Sequence, residues 1–532
     1  MFRTLSATVI FPLMLSSQTI HANAYKTCAA IRGNGDRIVA HFGAMGRYHE
    51  SYPAFDGIAG GSSGSISSFL YESMRMNSLM TTCSGHACSP SEERLRLSFM
   101  LKSMLGYIEA YKETEEVQAL LFTIETLQEL KRKVQDKSFG QVVETDPEAA
   151  WHQLEIALSR PEFRGLVNPD LITLFQTSGN LRFHLKELQN NLANFGNWKA
   201  ESPTVFFFPG FINWKEFARR IGRIADFYAG YGASYPAAAV DQVLSQCAEP
   251  MRGKEWPEPV AFGNTTCQKR WQELIGSYRT QNNADPTGPH RIDDRIGKGM
   301  MTLASTSVLV GPANLAAFRA AYARYHEGAY PDFHPVFSEI RVGYFGRDSD
   351  LARIKRNEQG YTDSRTQRFE PLGEKAWTDI ISVSPAEPGL SEIRRVDDQY
   401  YSLGGWIDLS PTLVLRNAGC DEVVYFTRYV SQDQSGFARD VVKLLGASDS
   451  EVEQTIGANS NVTPKPSFIL SNEEASGVWC TDWDAPAMGD FEGLFRTGFK
   501  GTFYTDSVTF TDTAERYAGI QKSRGKDSCI RD

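Results

Sequence analysis

Short apolar runs, glycine-containing turns and amphipathic stretches follow one another between residues 26 and 75. The pattern predicts strands at 28–31 and 55–59 and helices at 38–50 and 65–76. Strands that alternate with helices are typical of βαβ units, whose strands lie side by side in the same direction. We therefore predict an α/β fold with a mainly parallel central sheet.

A helical periodicity extends from about residue 91 to residue 295. Apolar residues recur every three to four positions from Leu95 to Ile108, and similar patterns continue as far as Cys247. The polar run at 281–294, rich in Asn, Asp, Pro and Gly, is typical of an exposed loop or linker. We interpret 91–295 as a large, mainly helical insertion or cap.

The sheet pattern resumes after this region. The candidate elements are strands at 301–310, 340–345, 380–383 and 423–426, with helices at 313–326, 411–417 and 436–445. We predict an α/β core in two parts, 25–90 and 296–446, followed by a C-terminal extension over 447–532.

Residues 1–24 have the features of a signal peptide. A basic start precedes an apolar stretch from Leu5 to Leu15, and Ala22, Asn23 and Ala24 form a small-x-small ending. A buried N-terminal helix is the weaker alternative. We expect a secreted or periplasmic protein that begins at Tyr25. No later run reaches the ~18 apolar residues needed to span a bilayer.

Composition and charge narrow the classes of partner. The chain is 41% hydrophobic and 22% charged, as in globular proteins, and its formal net charge is −9. No block of Lys and Arg stands out, which argues against nucleic acid and against electrostatic recruitment to strongly anionic membranes. A transient contact with a membrane surface stays compatible with this pattern, and the oligomeric state is left open.

All eight cysteines follow the predicted cleavage point. An even number of cysteines in an exported chain predicts disulfides. The closest pairs in sequence, Cys83 with Cys88 and Cys247 with Cys267, lie in turn-like contexts, and we predict these two bridges. Metal binding is the weaker alternative, because no CxxC occurs and His86 is the one adjacent imidazole. We expect neither metal nor cofactor.

A serine between two glycines carries the first chemical signal. Ser62 lies in a GxSxG pattern over residues 60–64, directly after an apolar strand and directly before a helix. Small flanking residues permit the strained strand-to-helix turn that exposes a nucleophilic serine. We call residues 60–64 the elbow. An ordinary Gly/Ser turn is the alternative.

A glycine-rich stretch follows the first strand. Backbone amides of Gly33, Asn34, Gly35 and Arg37, at the start of a predicted helix, have the pattern of an oxyanion hole. We call residues 33–37 the glycine loop. A nucleotide phosphate loop or a plain turn are alternatives, although the full GxGxxG is absent because Ile38 occupies the place of its third glycine.

Together these two elements resemble the patatin-like phospholipase family. The glycine loop is similar to the family's GGGxRG loop, and 55–65 is similar to its nucleophile elbow. Segments 382–389 and 404–423 resemble the surroundings of its second catalytic motif. The resemblance implies a patatin-like three-layer sandwich with a helical insertion. It also implies a serine acyl hydrolase that cleaves fatty-acyl esters of (phospho)lipids through a Ser-Asp dyad and an acyl-enzyme, without a catalytic histidine.

One position departs from the family pattern. The family's aspartate directly precedes a glycine pair, and Leu403 occupies that place here. Three readings follow: Asp408 is the base, Asp397 or Asp398 is the base, or the protein is a catalytically degenerate relative that binds lipid or protein. We favour Asp408. A secreted serine peptidase or thioesterase is a weaker alternative, and we expect His41 to be a packed or hydrogen-bonded core residue.

Overall fold

The computed structural model describes residues 25–33, 35–122, 127–193, 207–282, 295–312, 315–331, 337–357, 370–386, 394–396, 399–402, 411–431, 475–483, 485–487, 489–505, 522–523 and 529–531. The predicted signal peptide and the predicted helix at 436–445 lie outside these residues.

The strands of the described part are β1 (Tyr25–Ile31), β2 (Gly57–Gly61), β3 (Thr82–Cys83), β4 (His86–Ala87), β5 (Ala261–Phe262), β6 (Thr265–Thr266), β7 (Met301–Pro312), β8 (Phe337–Phe345), β9 (Glu370–Gly373), β10 (Arg394–Val396), β11 (Gln399–Ser402), β12 (Cys420–Arg428), β13 (Val430–Ser431), β14 (Gly477–Thr481), β15 (Thr502–Thr505), β16 (Lys522–Ser523) and β17 (Ile530–Arg531).

The α-helices of the same residues are α1 (Ile38–His49), α2 (Ser63–Met76), α3 (Pro90–Ala110), α4 (Glu115–Leu121), α5 (Leu127–Val134), α6 (Lys137–Thr145), α7 (Pro147–Leu158), α8 (Pro169–Thr177), α9 (Leu181–Ala193), α10 (Trp214–Tyr228), α11 (Ala237–Cys247), α12 (Cys267–Asn282), α13 (Leu315–His326), α14 (Asp348–Asn357), α15 (Trp377–Ile381), α16 (Thr412–Asn417) and α17 (Phe491–Phe499).

A mixed, mostly parallel sheet forms the centre of the molecule. Strands β7, β2, β1, β12 and β14 are parallel neighbours in that order. Antiparallel strands flank them: β15 pairs with β14, and β8 and β11 pair with β7. The α/β prediction is confirmed at this level, and a specifically patatin-like architecture stays a prediction.

The sheet separates two hydrophobic cores. Along β1, Ala29 and Ile31 belong to one core, whereas Cys28 and Ala30 belong to the other. This alternation is the two-residue period of a strand that is buried on both faces. Helices α1, α2, α3 and α17 contribute to the first core, and α14 and α16 to the second, so helices cover the sheet on both sides.

The described residues between 91 and 295 are mainly helical, as predicted. Their first helix, α3, begins with a capping box in which Ser89 and Glu92 satisfy each other's backbone amides. The region ends at α12, and β7 then returns to the central sheet beside β2.

Two elements differ from the sequence-based expectations. The run 380–383 is not a strand: α15 and a turn occupy it, because a short apolar run does not distinguish a strand from one turn of buried helix. The second difference is in the C-terminal part, which the sequence predicts to be an extension that follows the core. Its strands β14 and β15 instead belong to the central sheet. Val478 and Trp479 in β14 are fully buried.

Four disulfides connect the described residues. The predicted bridges Cys83–Cys88 and Cys247–Cys267 are confirmed. Two further bridges, Cys28–Cys420 and Cys480–Cys529, join positions that are distant in sequence. The described helices include none that combines the length and the apolar character needed to cross a bilayer.

Candidate active site

Ser62 has the backbone conformation of a strained turn between strand and helix. Its φ is 55° and its ψ is −128°, between the end of β2 and the first residue of α2. Such a conformation costs a non-glycine residue about 1–3 kcal/mol and persists only where the surroundings enforce it. The structure therefore places Ser62 where the GxSxG pattern predicts a nucleophile.

Gly60 and Gly64 of the elbow allow the chain to turn this tightly. A Cβ on Gly60 would lie 2.2 Å from the carbonyl oxygen of Gly64, and one on Gly64 would lie 2.4 Å from that of Ile31. Neither position accepts a side chain without movement of the backbone. The glycines thus bring the start of α2 directly against the end of β1.

The hydroxyl of Ser62 is not used to cap the helix that follows it. Serine at an N-cap commonly accepts a hydrogen bond from an amide of the first turn, but Ser62 makes no such bond. Its carbonyl accepts a bond from the Ser65 hydroxyl at 2.6 Å. Among the described residues, no carboxylate or imidazole is hydrogen-bonded to the Ser62 side chain. A base would have to come from another part of the chain.

The glycine loop leaves the sheet beside the elbow. Ile31 at the end of β1 pairs with Gly60 of β2, so both segments emerge at the same carboxyl edge. The Arg32 amide still donates to the Phe426 carbonyl at 3.2 Å, and the loop departs after it.

Gly35 begins a 3₁₀ turn with φ +61°, a conformation that favours glycine. Arg37 is the N-cap of α1 and offers no side-chain cap to the first-turn amides. Gly33 is also described, whereas Asn34 lies outside the described residues.

A serine from a distant segment holds the backbone of the elbow. The Ser62 amide donates to Ser384 Oγ at 3.1 Å, and Ser384 is fully buried. The segment of Ser384 is fixed on α2, because the Trp377 ring stacks on the Phe69 ring at 3.5 Å between centroids and 12° between planes. Spacing along the chain does not predict a contact between residues 322 positions apart.

The register of β7 brings the end of β11 to the elbow. Strand β8 pairs with β7 along one edge, so β2 and β11 share the other edge. Gly61 at the end of β2 pairs with Ser305, and Ser402 at the end of β11 pairs with Ser307. Two residues of strand span about 7 Å. The two strands therefore end head to head, close to each other.

The three candidate bases flank β11 in the sequence: Asp397 and Asp398 precede the strand, and Asp408 follows it. Leu403 and Asp408, as well as Asp397 and Asp398, lie outside the described residues. The described neighbours in sequence are Val396 and Gln399 for Asp397 and Asp398, and Ser402 and Pro411 for Leu403 and Asp408.

His41 is a core residue, as expected, and its imidazole is hydrogen-bonded to Ser67. Its Nδ1 lies 2.7 Å from Ser67 Oγ, and its ring makes an edge contact with the Trp483 ring at 5.4 Å. Burial lowers the pKa of His41 to about 3, and a backbone hydrogen bond to Arg32 opposes this only in part. The imidazole is thus neutral at physiological pH and fixes α1 to α2 rather than activating Ser62.

No protein-family model, curated protein or solved structure matches the chain. Function must therefore be inferred from the residues and their geometry.

Proposed function

We propose that the protein is a serine acyl hydrolase that cleaves fatty-acyl esters of phospholipids or related lipids, with Ser62 as nucleophile and Asp408 as base. The observation that carries the proposal is the φ of 55° at Ser62. The turn that holds this conformation requires glycine at positions 60 and 64, because a Cβ at either position would clash with the backbone. Strain of this kind is characteristic of functional sites, and this turn is the form in which acyl hydrolases present a serine.

In the proposed reaction, Ser62 Oγ attacks the ester carbonyl while Asp408 accepts its proton. The negative charge on the carbonyl oxygen is stabilised by amides of the glycine loop, drawn from Gly33, Asn34, Gly35 and Arg37. The proton then passes to the leaving alcohol, and an acyl-enzyme remains. Water attacks this ester with Asp408 again as base, which releases the fatty acid and restores Ser62.

The strand register favours Asp408 over Asp397 and Asp398. The elbow lies beside the Ser402 end of β11, and Asp408 follows Ser402 by six positions. Asp397 and Asp398 instead precede Gln399, at the other end of the strand. Three residue steps of strand separate Gln399 from Ser402, about 10 Å.

A second candidate is a catalytically degenerate protein that uses the same fold to bind lipid or protein. Leu403 favours this reading, because leucine cannot accept a proton. Loss of a general base forfeits about 10²- to 10⁴-fold in rate. Export of the protein in either role agrees with its disulfides, which persist in oxidising compartments.

Hydrolysis assays on the mature protein and three variants test the proposal. The mature protein, Ser62→Ala, Asp408→Asn and the control Ser73→Ala are compared on a short-chain p-nitrophenyl ester and on phosphatidylcholine. Ser73 lies on α2, the helix that follows the elbow. Its hydroxyl donates only to the Phe69 carbonyl, at 2.9 Å. Ser73→Ala should retain the parent rate, whereas Ser62→Ala and Asp408→Asn should lose it.

The remaining outcomes separate the alternatives. Loss of activity in Ser62→Ala alone would assign the base to another residue. An inactive parent that is also not labelled at Ser62 by a fluorophosphonate would favour the degenerate protein. Hydrolysis of a peptide or thioester in preference to both oxygen esters would favour the peptidase or thioesterase.

A further inference from the structure

Two buried histidines connect α1, the helix that follows the glycine loop, to α2, the helix that follows the elbow. His41 lies in the first turn of α1 and contacts Ser67 of α2, whereas His49 ends α1 and contacts Tyr71 of α2. Both imidazoles are buried, and burial lowers the pKa of each to about 3, so both are neutral at physiological pH. The two contacts hold the helices together at different places.

His41 holds the two helices beside Ser62. Its Nδ1 lies 2.7 Å from Ser67 Oγ, and the Ser67 hydroxyl donates at 3.3 Å to the carbonyl of Ser63, the residue after Ser62. The same imidazole is hydrogen-bonded to the backbone of Arg32, which directly precedes the glycine loop. One side chain thus contacts the start of the glycine loop and, through Ser67, the elbow.

The ring of His41 is also held by packing. Trp483 follows β14 and makes an edge contact with the imidazole at 5.4 Å between ring centroids. Strands β14, β12 and β1 are parallel, so Trp483 comes from the same carboxyl edge as the glycine loop. His41 is 1% exposed and Trp483 2% exposed. An imidazole that is bonded and enclosed in this way has one position, and it fixes the spacing of the segments that it contacts.

His49 holds the same helices at the opposite edge of the sheet. Its Nε2 lies 3.1 Å from the Tyr71 hydroxyl, which accepts a hydrogen bond from the Phe55 amide at 2.9 Å. Phe55 precedes β2, whereas Ser62 follows the other end of this five-residue strand, about 13 Å farther along. The His49 contact is therefore of the same kind as the His41 contact but distant from Ser62.

We infer that His41 is a positioning residue for the proposed reaction, because it sets the distance between the amides of the glycine loop and the hydroxyl of Ser62. The oxyanion donors and the nucleophile must meet the same carbonyl group, and an error of about 1 Å in such spacing costs about a hundredfold in rate. His41 acts through Arg32 and Ser67 and is not itself a reacting group. This inference rests on the proposed function and identifies the residue that joins the two halves of its site.

Removal of either end of the contact tests the inference. In the full mature chain, His41→Leu and Ser67→Ala should each lower the acylation rate constant for a soluble p-nitrophenyl ester by about tenfold to a hundredfold at unchanged KM. The double variant should lose no more than His41→Leu alone, because two residues of one contact are not additive. His41→Asn places an amide where Nδ1 was and should recover most of the rate.

Two matched controls separate positioning from stability. His49→Leu removes an equally buried contact between the same helices, and it should shift the melting temperature as His41→Leu does while keeping the parent rate. Ser73→Ala is the control for Ser67→Ala, because the Ser73 hydroxyl also donates to a carbonyl one turn back on α2, at 2.9 Å. It should keep the parent rate as well. A merely structural role of His41 would lower the rate alike in both histidine variants.

Amide hydrogen exchange separates this inference from the proposed function, because it requires no turnover. His41→Leu should accelerate exchange in the peptides that contain the glycine loop and the elbow, and His49→Leu should not. An inactive parent with this exchange pattern would refute the hydrolase and retain His41 as the link between the two segments. The inference would be overturned by an unchanged acylation rate in His41→Leu, an equal loss in His49→Leu, a loss that His41→Asn does not recover, or unchanged exchange at both segments.

Discussion

Two buried histidines make the stability of the protein sensitive to acid. His41 and His49 lie on α1 and are almost completely buried. Burial lowers the pKa of each from 6.5 to about 3. The Tyr71 hydroxyl lies 3.1 Å from Nε2 of His49. No acidic side chain is among the causes of either pKa shift, so no negative charge offsets the cost of burying a protonated imidazole. Both rings are therefore neutral in the folded protein.

The sign and size of the effect follow from proton linkage. The folded pKa lies below the unfolded value, so the unfolded chain binds the extra proton, and stability falls as pH decreases through about 6.5 towards 3. At pH 5 each histidine lowers the free energy of unfolding by RT ln(1 + 10^1.5), about 2 kcal/mol. The pair should lower it by about 4 kcal/mol relative to pH 8, which is a large part of the 5–15 kcal/mol typical of native proteins.

Proton uptake on unfolding measures this effect directly and does not require reversible folding. Unfolding at pH 5 should take up about one proton at each histidine, and His41→Gln or His49→Gln should each remove about one. His152→Gln is the control, because its side chain is 72% exposed in the folded protein. Uptake that is unchanged in both buried-site variants would refute the reasoning, since the histidines would then be protonated in the folded state as well.

Three further changes have defined outcomes. Gly64→Ala places a Cβ 2.4 Å from the end of β1 and should abolish both fluorophosphonate labelling and the native melting transition. Ser384→Ala removes the acceptor of the elbow amide and should lower the acylation rate constant by about tenfold to a hundredfold at unchanged KM. Ser382→Ala, which loses only a bond within its own turn, should keep the parent rate. Replacing Cys28 and Cys420 by serine should cost about 2–4 kcal/mol of unfolding free energy, measured by urea denaturation, because the bridge closes a long loop.

The local elements could be predicted because their signals are local. Strand, glycine turn and helix follow one another within residues 26–75, and each signal depends on neighbours in sequence. The position of Ser62 followed from the same kind of signal, since the strained turn needs only small residues on either side. The two short-range disulfides were also within reach, because few residues separate Cys83 from Cys88 and Cys247 from Cys267.

Features that depend on distant contacts could not be predicted in the same way. The bond from the Ser62 amide to Ser384 joins residues 322 positions apart, and the Cys28–Cys420 bridge spans 392. Membership of β14 in the central sheet depends on its pairing with β12, to which no local pattern points. The run at 380–383 was predicted wrongly because its helical form depends on the buried packing of Trp377 against Phe69.

The departure at Leu403 leads to an experiment that distinguishes the two proposed functions. Ser402, the last residue of β11, is two steps along β7 from the partner of Gly61, so the chain leaves β11 beside the turn that carries Ser62. An aspartate introduced at the next position, by Leu403→Asp, would supply the base that the family pattern places there.

A protein that lacks a base should gain about 10²- to 10⁴-fold in ester hydrolysis from this change. An enzyme that already uses Asp408 should gain little, because one proton acceptor suffices for Ser62. A large gain that also requires Ser62 would therefore identify a degenerate site with an intact nucleophile, whereas parent-level activity in Leu403→Asp that is lost on Asp408→Asn would establish Asp408 as the base.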